Sequence, residues 1–387
     1  MIFALALFSA LAAGAAEPAV QQDPAQSTGA ASVEVSTAPA AAAEEPEAGA
    51  AVSTGPACRA VHLTAWIAGT SKTRREFLRH LEGTVINAVV LPIKETDGRV
   101  YIPGVAKAAE FGSQLTAIPR PEEALRDFRE AGLRSIARIA VFKDNFLARR
   151  SPKWAVHRPD GALWRNKNGI AWTDPYQRPI WEYNIEVALR AAQLGFDEIQ
   201  FDYVRFPSDG NTKLCRYSNA RHSRAAAIAD LRQFVKYARF RLAPTGKPVS
   251  IAVFGMTTTA SNDMGIGQEL VDLAGLADYV SPMMYPSHYR KGEYGLADPN
   301  REPYKVIHLG LRDAKARLGG QAGKLRPYLQ DFSLYGVHYG AAQVRAQILA
   351  AHREGVESWI LWNPRNNYTW DVLTPRALSA AGVPVAR

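Results

Sequence analysis

The chain of 387 residues contains only two cysteines, Cys58 and Cys215, and no Cys or Cys/His pairs at metal-binding spacing. This scarcity excludes a disulfide-rich scaffold and a zinc module, and two cysteines are compatible with one disulfide or with none. Cys58 precedes the first predicted strand and Cys215 follows the fourth, so the two thiols are expected at opposite ends of the domain. That separation argues against a disulfide between them. We expect no cofactor and no metal, because His62 and Asp202 would make too few ligands.

Lysine and arginine are absent before Arg59. Residues 1–16 form a short apolar run that ends in small residues, which predicts a secretory signal peptide; a retained membrane anchor is the alternative. Residues 17–57 are rich in Ala, Pro, Glu, Ser and Thr and are expected to form a disordered linker. The sequence therefore predicts an exported bacterial protein, periplasmic or extracellular, with a folded domain at 58–387 and no stable membrane insertion after cleavage.

The linker holds six acidic residues, so the folded part keeps 46 basic and 31 acidic residues, a net charge of +15. A basic exported domain favours an anionic neighbour such as an acidic polysaccharide, although scattered basic residues also serve solubility. The chain carries no recognisable nucleic-acid-binding module, so we expect no nucleic-acid partner.

No glycine-rich phosphate turn follows the first predicted strand, which disfavours an open, doubly wound nucleotide-binding sheet. Short runs rich in Val, Ile and aromatic residues instead alternate with amphipathic helices. The predicted strands span 60–66, 87–94, 135–142, 198–202, 249–254, 278–285, 325–332 and 358–363. Predicted helices include 121–131, 176–194, 220–242 and 341–353. Eight strand–helix repeats predict an α/β protein with a closed parallel (β/α)8 TIM barrel.

The fourth predicted strand, EIQFD, alternates apolar and polar side chains. Ile199 and Phe201 are expected to face the helices, so Gln200 and Asp202 point inward, with Asp202 at the carboxyl end, where barrel active sites lie. The same alternation is applied to the other strands. The inward positions it predicts there include His62, Thr64, Trp66, Pro92, Lys94, Arg138, Phe142, Ala252, Tyr285, Gln330 and Trp362.

Asp202 is the only acid among the inward positions of the upper half of the predicted barrel. Lys94 and Arg138 beside it would keep its carboxylate ionised, which suits a nucleophile or a base rather than a proton donor. A purely structural ion pair is the alternative. Aromatic residues concentrate where loops should line the barrel mouth, and sugar rings pack on such side chains. Examples are Trp66, Tyr203, Tyr285, Tyr289, Trp362, Tyr368 and Trp370.

The segments ARIAVFKDNFLA, GIAWTDPYQRPIWEYN, GFDEIQFDYVRFPSDG, NDMGIGQEL, DYVSPMMYPSHY and RPYLQDF together resemble a bacterial glycoside hydrolase family of undefined substrate. The resemblance spans roughly residues 60–370 and implies a glycosidase-like TIM barrel. The family pattern carries aspartates at the positions of Pro92 and Ala252, which implies that two of three inward acids are replaced here. Strand four is also distantly similar to chitinases, but Pro286 stands where that family has an aspartate, which argues against chitinase chemistry.

Two functions follow from these observations. The first is an exported glycosidase that acts on a polysaccharide, possibly an anionic one, with Asp202 as nucleophile or base and Glu95 or Asp331 as proton donor. Asp97, Asp144 and Asp209 are weaker candidates for the donor. The alternative is a non-catalytic barrel that binds envelope or matrix polysaccharide. The predicted substrate-binding residues are Lys94, Arg138, Arg205, Gln200, Tyr203, Tyr285, Gln330, Trp362, His62 and Trp66.

Overall fold

A computed structural model describes residues 56–383 of the chain. Its centre is a closed barrel of eight parallel strands that hydrogen-bond in chain order, the last strand returning to the first. The predicted (β/α)8 TIM barrel is therefore confirmed. The strands are β1 (Arg59–His62), β2 (Ala88–Lys94), β3 (Arg134–Ala140), β4 (Glu198–Asp202), β5 (Val249–Phe254), β6 (Tyr279–Met283), β7 (Tyr328–Gln330) and β8 (Trp359–Trp362).

Helices alternate with these strands, and several begin with proline in the first turn, where its missing N–H is not needed. The 17-residue helix that precedes β4 ends at Gly195, whose φ of 99° is the left-handed conformation expected of a glycine cap. The helices are α1 (Ala65–Gly69), α2 (Ser71–Leu81), α3 (Ala106–Phe111), α4 (Pro121–Glu130), α5 (Asn145–Arg150), α6 (Arg178–Leu194), α7 (Arg224–Leu242), α8 (Leu270–Leu276), α9 (Pro303–Leu318), α10 (Ala341–Arg353) and α11 (Pro375–Ala380). The four helices named from the sequence correspond to α4, α6, α7 and α10.

The main hydrophobic core lies between the barrel and its helices. Phe201 of β4 points into this layer, where its ring lies 5.5 Å from that of Phe234 on α7. The alternation predicted for β4 is therefore correct. A smaller apolar cluster fills the barrel interior. Its buried members are Cys58, Ala60, Ala88, Val90, Ile136, Ala252, Tyr285, Tyr328 and Ile360.

A buried polar layer lies deeper in the barrel and supports the mouth from below. Glu198, at the start of β4, pairs with Arg326 and accepts a hydrogen bond of 2.5 Å from Ser250 Oγ. One step higher, Gln200 accepts a hydrogen bond from the Tyr328 hydroxyl. Every one of these side chains is almost completely buried, so the layer is a fixed floor rather than a solvent-filled channel.

Five predicted strands end earlier than expected, and β1 and β3 show the consequences. β1 ends at His62, and Trp66 lies in α1 rather than in the strand. β3 ends at Ala140, and the predicted inward direction of Phe142 is wrong, because its ring packs 5.3 Å from Phe234 on α7. Strand alternation applies only while the chain is extended, so it fails beyond these ends.

The predicted signal peptide (1–16) and all but the last two residues of the predicted linker (17–57) lie outside the described residues. Within the described part, no helix is long and apolar enough to cross a membrane. Cys58 and Cys215 are both buried and both free, as their predicted separation implies.

Candidate active site

A cavity of about 1210 Å³ opens at the carboxyl ends of the strands, with walls from the segments that follow all eight. A pocket for one small ligand usually has about 300–1,000 Å³, so this cavity has room for several linked units. Ten of the residues predicted for the site line it, although their roles stay predictions. They are His62, Trp66, Glu95, Arg138, Asp202, Tyr203, Arg205, Tyr285, Asp331 and Trp362.

Arg138 holds two carboxylates at one side of this cavity. Its Nε and Nη2 lie 2.8 and 2.6 Å from Asp202 Oδ2, and its Nη1 lies 2.5 Å from Glu95 Oε1. A single guanidinium thus holds both carboxylates, Asp202 and Glu95, on the same side of the cavity. Burial lowers the pKa of Arg138, but Glu95 and Asp202 outweigh burial, and its pKa is raised well above the ordinary value. The site therefore contains a permanent cation that pairs with both Asp202 and Glu95.

Lys94 does not reach this carboxylate. The register between β2 and β3 shifts between Pro92 and Lys94, and a shift of one residue turns a side chain to the other face. Lys94 Nζ consequently lies in the outer layer, 2.8 Å from Asp144 Oδ2 and 5.5 Å from the ring centre of Tyr183 on α6. Its predicted role in substrate binding is wrong, and Glu95 is the residue that enters the cavity.

Gln200 and Gln330 point inward or toward the mouth but do not line the cavity. Gln200 lies in the polar floor below it. Gln330 accepts a hydrogen bond of 3.0 Å from the backbone N–H of Ser287 and donates one of 2.8 Å to the carbonyl of Phe332. The side-chain amides of both residues are engaged in hydrogen bonds within the protein, so the prediction that they contact substrate is wrong. Gln330 instead braces the loops after β6 and β7.

Asp331, directly after β7, is the third acid on the cavity wall. The backbone N–H of Thr369 donates to Oδ2 at 2.8 Å, and the Thr369 hydroxyl donates to Oδ1 at 2.7 Å. Burial raises the pKa of Asp331, the bonds from Thr369 lower it, and burial is the larger effect. Asp202 and Asp331 are both buried, but Asp202 is ion-paired with Arg138, whereas Asp331 is bonded by the neutral donors of Thr369.

The other acids considered as proton donors do not line the cavity. Asp144 caps α5 by accepting from Leu147 N–H and pairs with Lys94. Asp209 is buried against Asn166, and Asp97 is exposed. Among residues 56–383, no group of three or more His, Cys, Asp or Glu side chains could hold a metal ion.

Tyr203, which follows Asp202, has a φ of 52°, a conformation that a bulky residue rarely adopts. Its backbone N–H donates to Asp202 Oδ1 at 2.6 Å, so the strained turn fixes the carboxylate. The cationic groups of Lys143 and Arg205 each lie 4.9 Å from the Tyr203 ring centre. All of these side chains line the cavity, so Lys143 and Arg205 add two basic groups to the wall beside Asp202.

Aromatic side chains form another part of the wall. The rings of Tyr285 and Trp362 lie 5.1 Å apart with an interplanar angle of 35°, and Phe332 packs against both. Trp66, which is 58% exposed, stands at the rim with Tyr101 6.5 Å away. Ring faces of this kind contact the apolar faces of sugars.

His62 lies on the wall beside Trp362, with their ring centres 6.2 Å apart. Its Nδ1 has no hydrogen-bond partner within the described structure. Burial, together with the charge of Arg138, lowers the pKa of His62 to about 3. The imidazole is therefore neutral at physiological pH and can either donate to or accept from a ligand hydroxyl.

This depressed pKa predicts a pH-dependent stability. Between pH 6.5 and about 3 the unfolded chain binds a proton at His62 that the folded chain does not, so the free energy of unfolding should fall as pH falls. His62→Gln should flatten this dependence, as measured by urea unfolding at neutral pH and at about pH 5. His338→Gln, at an exposed rim position, is the matched control, and an equal flattening in both variants would contradict the assignment.

Sequence reasoning missed several wall residues. They are Lys143, Tyr101, His288, Phe332 and Thr369. Each lies in a loop after a strand of the structure, where alternation does not apply. Phe332 is the exception for the prediction, because it fell within the predicted strand 325–332 on the same side as Gln330. The position of Lys143, three residues beyond the end of β3, is another signal that could have suggested a place at the mouth.

The chain matches, over residues 60–368, the model of a family described as "Putative glycosyl hydrolase domain". No curated protein matches it. A hypothetical protein from Ruminiclostridium thermocellum is 32% identical over 49% of this chain and 96% of its own, with a TM-score of 0.45.

Two solved glycosidase structures are similar in fold. The glycoside hydrolase domain of PgaB (BpsB) from Bordetella bronchiseptica aligns with a TM-score of 0.61 at 15% identity, over 86% of this chain and all of that one. Alpha-L-fucosidase isoenzyme 2 from Paenibacillus thiaminolyticus aligns with a TM-score of 0.58 at 16% identity, over 84% of this chain and 49% of that one. At these identities the similarity concerns the barrel fold alone.

Proposed function

Because this chain belongs to the glycosyl hydrolase domain family, we propose that it hydrolyses a glycosidic bond within a polysaccharide at the mouth of its barrel. The observation that carries this proposal is the pair of carboxyl groups in contrasting environments. Asp202 is ion-paired with Arg138, whereas burial raises the pKa of Asp331. Both line one cavity. Glycosidases need one carboxylate that stays ionised and one carboxylic acid that keeps its proton.

Asp202 is the nucleophile or the base in this proposal. Its Oδ2 binds Arg138, while its Oδ1 is fixed by the N–H of Tyr203, so both oxygens are oriented before a substrate arrives. A carboxylate that is already oriented can stabilise positive charge that develops at the sugar without reorganisation during the reaction. Glu95 shares Arg138 and positions its guanidinium.

Asp331 is the proton donor in this proposal. Burial raises the pKa of Asp331 and so favours the protonated form, which is the form that can protonate the leaving oxygen. Asp331 is favoured over Glu95 for this role because Glu95 Oε1 is engaged in an ion pair, 2.5 Å from Arg138 Nη1.

The size and lining of the cavity support a polymeric substrate. The volume of about 1210 Å³ has room for several linked sugar units. The rings of Tyr285 and Trp362 suit the apolar faces of sugars, and the basic groups of Lys143 and Arg205 suit their polar and anionic groups. Residues 1–16 support export, which we propose as the setting of this activity.

Asp331→Asn should lower the cleavage of natural glycosidic bonds about 10²–10⁴-fold, since the leaving oxygen would lose its proton donor. Cleavage of an aryl glycoside with an acidic phenol should be nearly unchanged, because that leaving group needs no proton. The measurement is kcat/KM for both substrate types against pH. In the wild type, activity should decline as pH rises through the pKa of Asp331.

Thr369→Val provides the matched control for that experiment. Loss of the hydroxyl bond to Asp331 Oδ1 should raise the pKa of Asp331 further and move the alkaline decline to higher pH. An equal loss on both substrate types in Asp331→Asn, with no shift in Thr369→Val, would assign Asp331 a structural role.

A non-catalytic polysaccharide-binding barrel is the second candidate. This alternative is favoured because two inward positions of the barrel hold Pro92 and Ala252, whose side chains have no carboxyl group. This alternative predicts saccharide affinity without release of new reducing ends, and weaker affinity when Trp362 or Tyr285 becomes Ala.

A further inference from the structure

A second cavity, of about 440 Å³, lies beside the first at the barrel mouth. The two cavities share a wall made by His288 and Tyr289, which follow β6. The second cavity is therefore adjacent to the first, and a polymer that extends past His288 and Tyr289 would reach it. The proposed mechanism uses no residue that lies only in this second space.

The second cavity is built on a rigid frame. Asn300 is 5% exposed; its Nδ2 donates to the Leu334 carbonyl at 3.0 Å, and its own carbonyl accepts from the Tyr339 hydroxyl at 3.0 Å. These bonds join the loop after β6 to the loop after β7. Asn300 Oδ1 has no partner within the described structure, so a buried acceptor stands in the cavity lining where a ligand hydroxyl could donate to it.

Cations dominate the remaining lining. Arg301 lies 3.3 Å from Asp298 and is largely neutralised. Arg290 and Lys291 also line the cavity, and neither forms an ion pair with any residue from 56 to 383. Two uncompensated positive charges beside a hydrogen-bond acceptor match a sugar that carries a negative group.

Tyr335 supplies an exposed ring at the rim. Leu334 and Val337 exchange backbone hydrogen bonds of 3.1 and 3.3 Å around Tyr335 and Gly336, whose φ values are 52° and 73°. Two positive φ values define a type I′ turn, which favours Asn, Asp or Gly rather than an aromatic residue at its first central position. Tyr335 is nevertheless 64% exposed there, and a strained aromatic residue at a site rim points to a role in binding.

We propose that the second cavity is a subsite for a negatively charged saccharide unit, bound through Arg290 and Lys291, with Asn300 accepting from a hydroxyl and Tyr335 stacking on the ring. This inference rests on the proposed function, since it assigns the class of polymer that the same mouth binds. It identifies the substrate as an anionic polysaccharide rather than a neutral one.

Calorimetric titration in an Asp202→Asn background, which prevents turnover, tests the proposal. The probes are oligogalacturonate, oligomannuronate and hyaluronan oligosaccharides, each beside its carboxyl-reduced neutral form. At least one charged probe should bind more tightly than its neutral form, and Arg290→Gln/Lys291→Gln should weaken that binding about tenfold. Lys236→Gln/Arg353→Gln removes the same charge from exposed positions on α7 and α10 and should leave the affinity unchanged.

The Tyr335→Asn variant tests whether Tyr335 contributes to saccharide binding rather than to the stability of the fold. Asparagine suits the turn, so the free energy of unfolding should stay the same or rise, whereas affinity for the charged probe should fall about fivefold. The proposal is overturned if no charged probe binds, if neutral forms bind equally well, or if the Arg290/Lys291 and Lys236/Arg353 variants behave alike. Cleavage of a neutral glycan without charge preference would refute this subsite alone, whereas charge-dependent binding without cleavage would refute only the proposed hydrolysis.

Discussion

Asp202→Asn should reduce the release of reducing ends about 10²–10⁴-fold, the loss expected when one positioned carboxylate is removed from a hydrolytic site. The amide oxygen can replace the oxygen that binds Arg138, but the amide NH2 cannot accept from the Tyr203 N–H, which bonds the other oxygen in the wild type. Arg138 keeps its ion pair with Glu95, so the fold and the saccharide affinity should persist. The measurement is a glycan panel that includes uronic-acid polymers, incubated with the wild type and the variant. Binding should be measured on the same samples.

Asp97→Asn is the matched control for Asp202→Asn. Asp97 lies in the loop after β2 but is exposed and does not line the cavity. Its substitution removes the same charge and should leave turnover within a factor of about two, since exposed charges of this kind have small effects. Unchanged turnover in Asp202→Asn would exclude that carboxylate as a catalytic group.

Glu198→Ala should have the largest effect on stability. Glu198 is fully buried and pairs with Arg326, itself only 1% exposed. Removal of the acid leaves a buried guanidinium without its counter-charge, and such a change lowers the free energy of unfolding by about 3–5 kcal/mol. Chemical denaturation of both proteins under the same conditions measures the difference.

Glu302→Ala, which breaks an exposed ion pair, is the control for Glu198→Ala. Glu302 lies 3.2 Å from Lys305 in a surface pair whose side chains are both about half exposed, and such pairs contribute about 0–1 kcal/mol. Similar losses in the two variants would show that the polar floor of the barrel does not depend on the Glu198–Arg326 pair.

The sequence predicted much of the barrel and of its inward face. Alternation along β4 placed Gln200 and Asp202 inside the barrel, with Asp202 at the mouth, because alternation is a local property of an extended chain. Family resemblance and the eightfold strand–helix repeat independently gave the same architecture.

The errors have physical causes that lie outside local pattern. The register shift beside Pro92 turned Lys94 outward and left Glu95 in the cavity, and a bulge of this kind depends on pairing with the next strand. The environment of Asp331 depends on Thr369, 38 residues away in the chain. The second cavity depends on two loops that meet through Asn300. Contacts between loops are not encoded in any single stretch of sequence.

The most direct test of hydrolysis at this mouth is a crystal structure of the Asp202→Asn variant with an oligosaccharide that the wild type cleaves. The account predicts that the scissile sugar lies in the large cavity, with its anomeric carbon facing residue 202 and its glycosidic oxygen within hydrogen-bond reach of Asp331. A saccharide bound elsewhere on the protein, or one whose glycosidic bond lies far from both carboxyl positions, would contradict it.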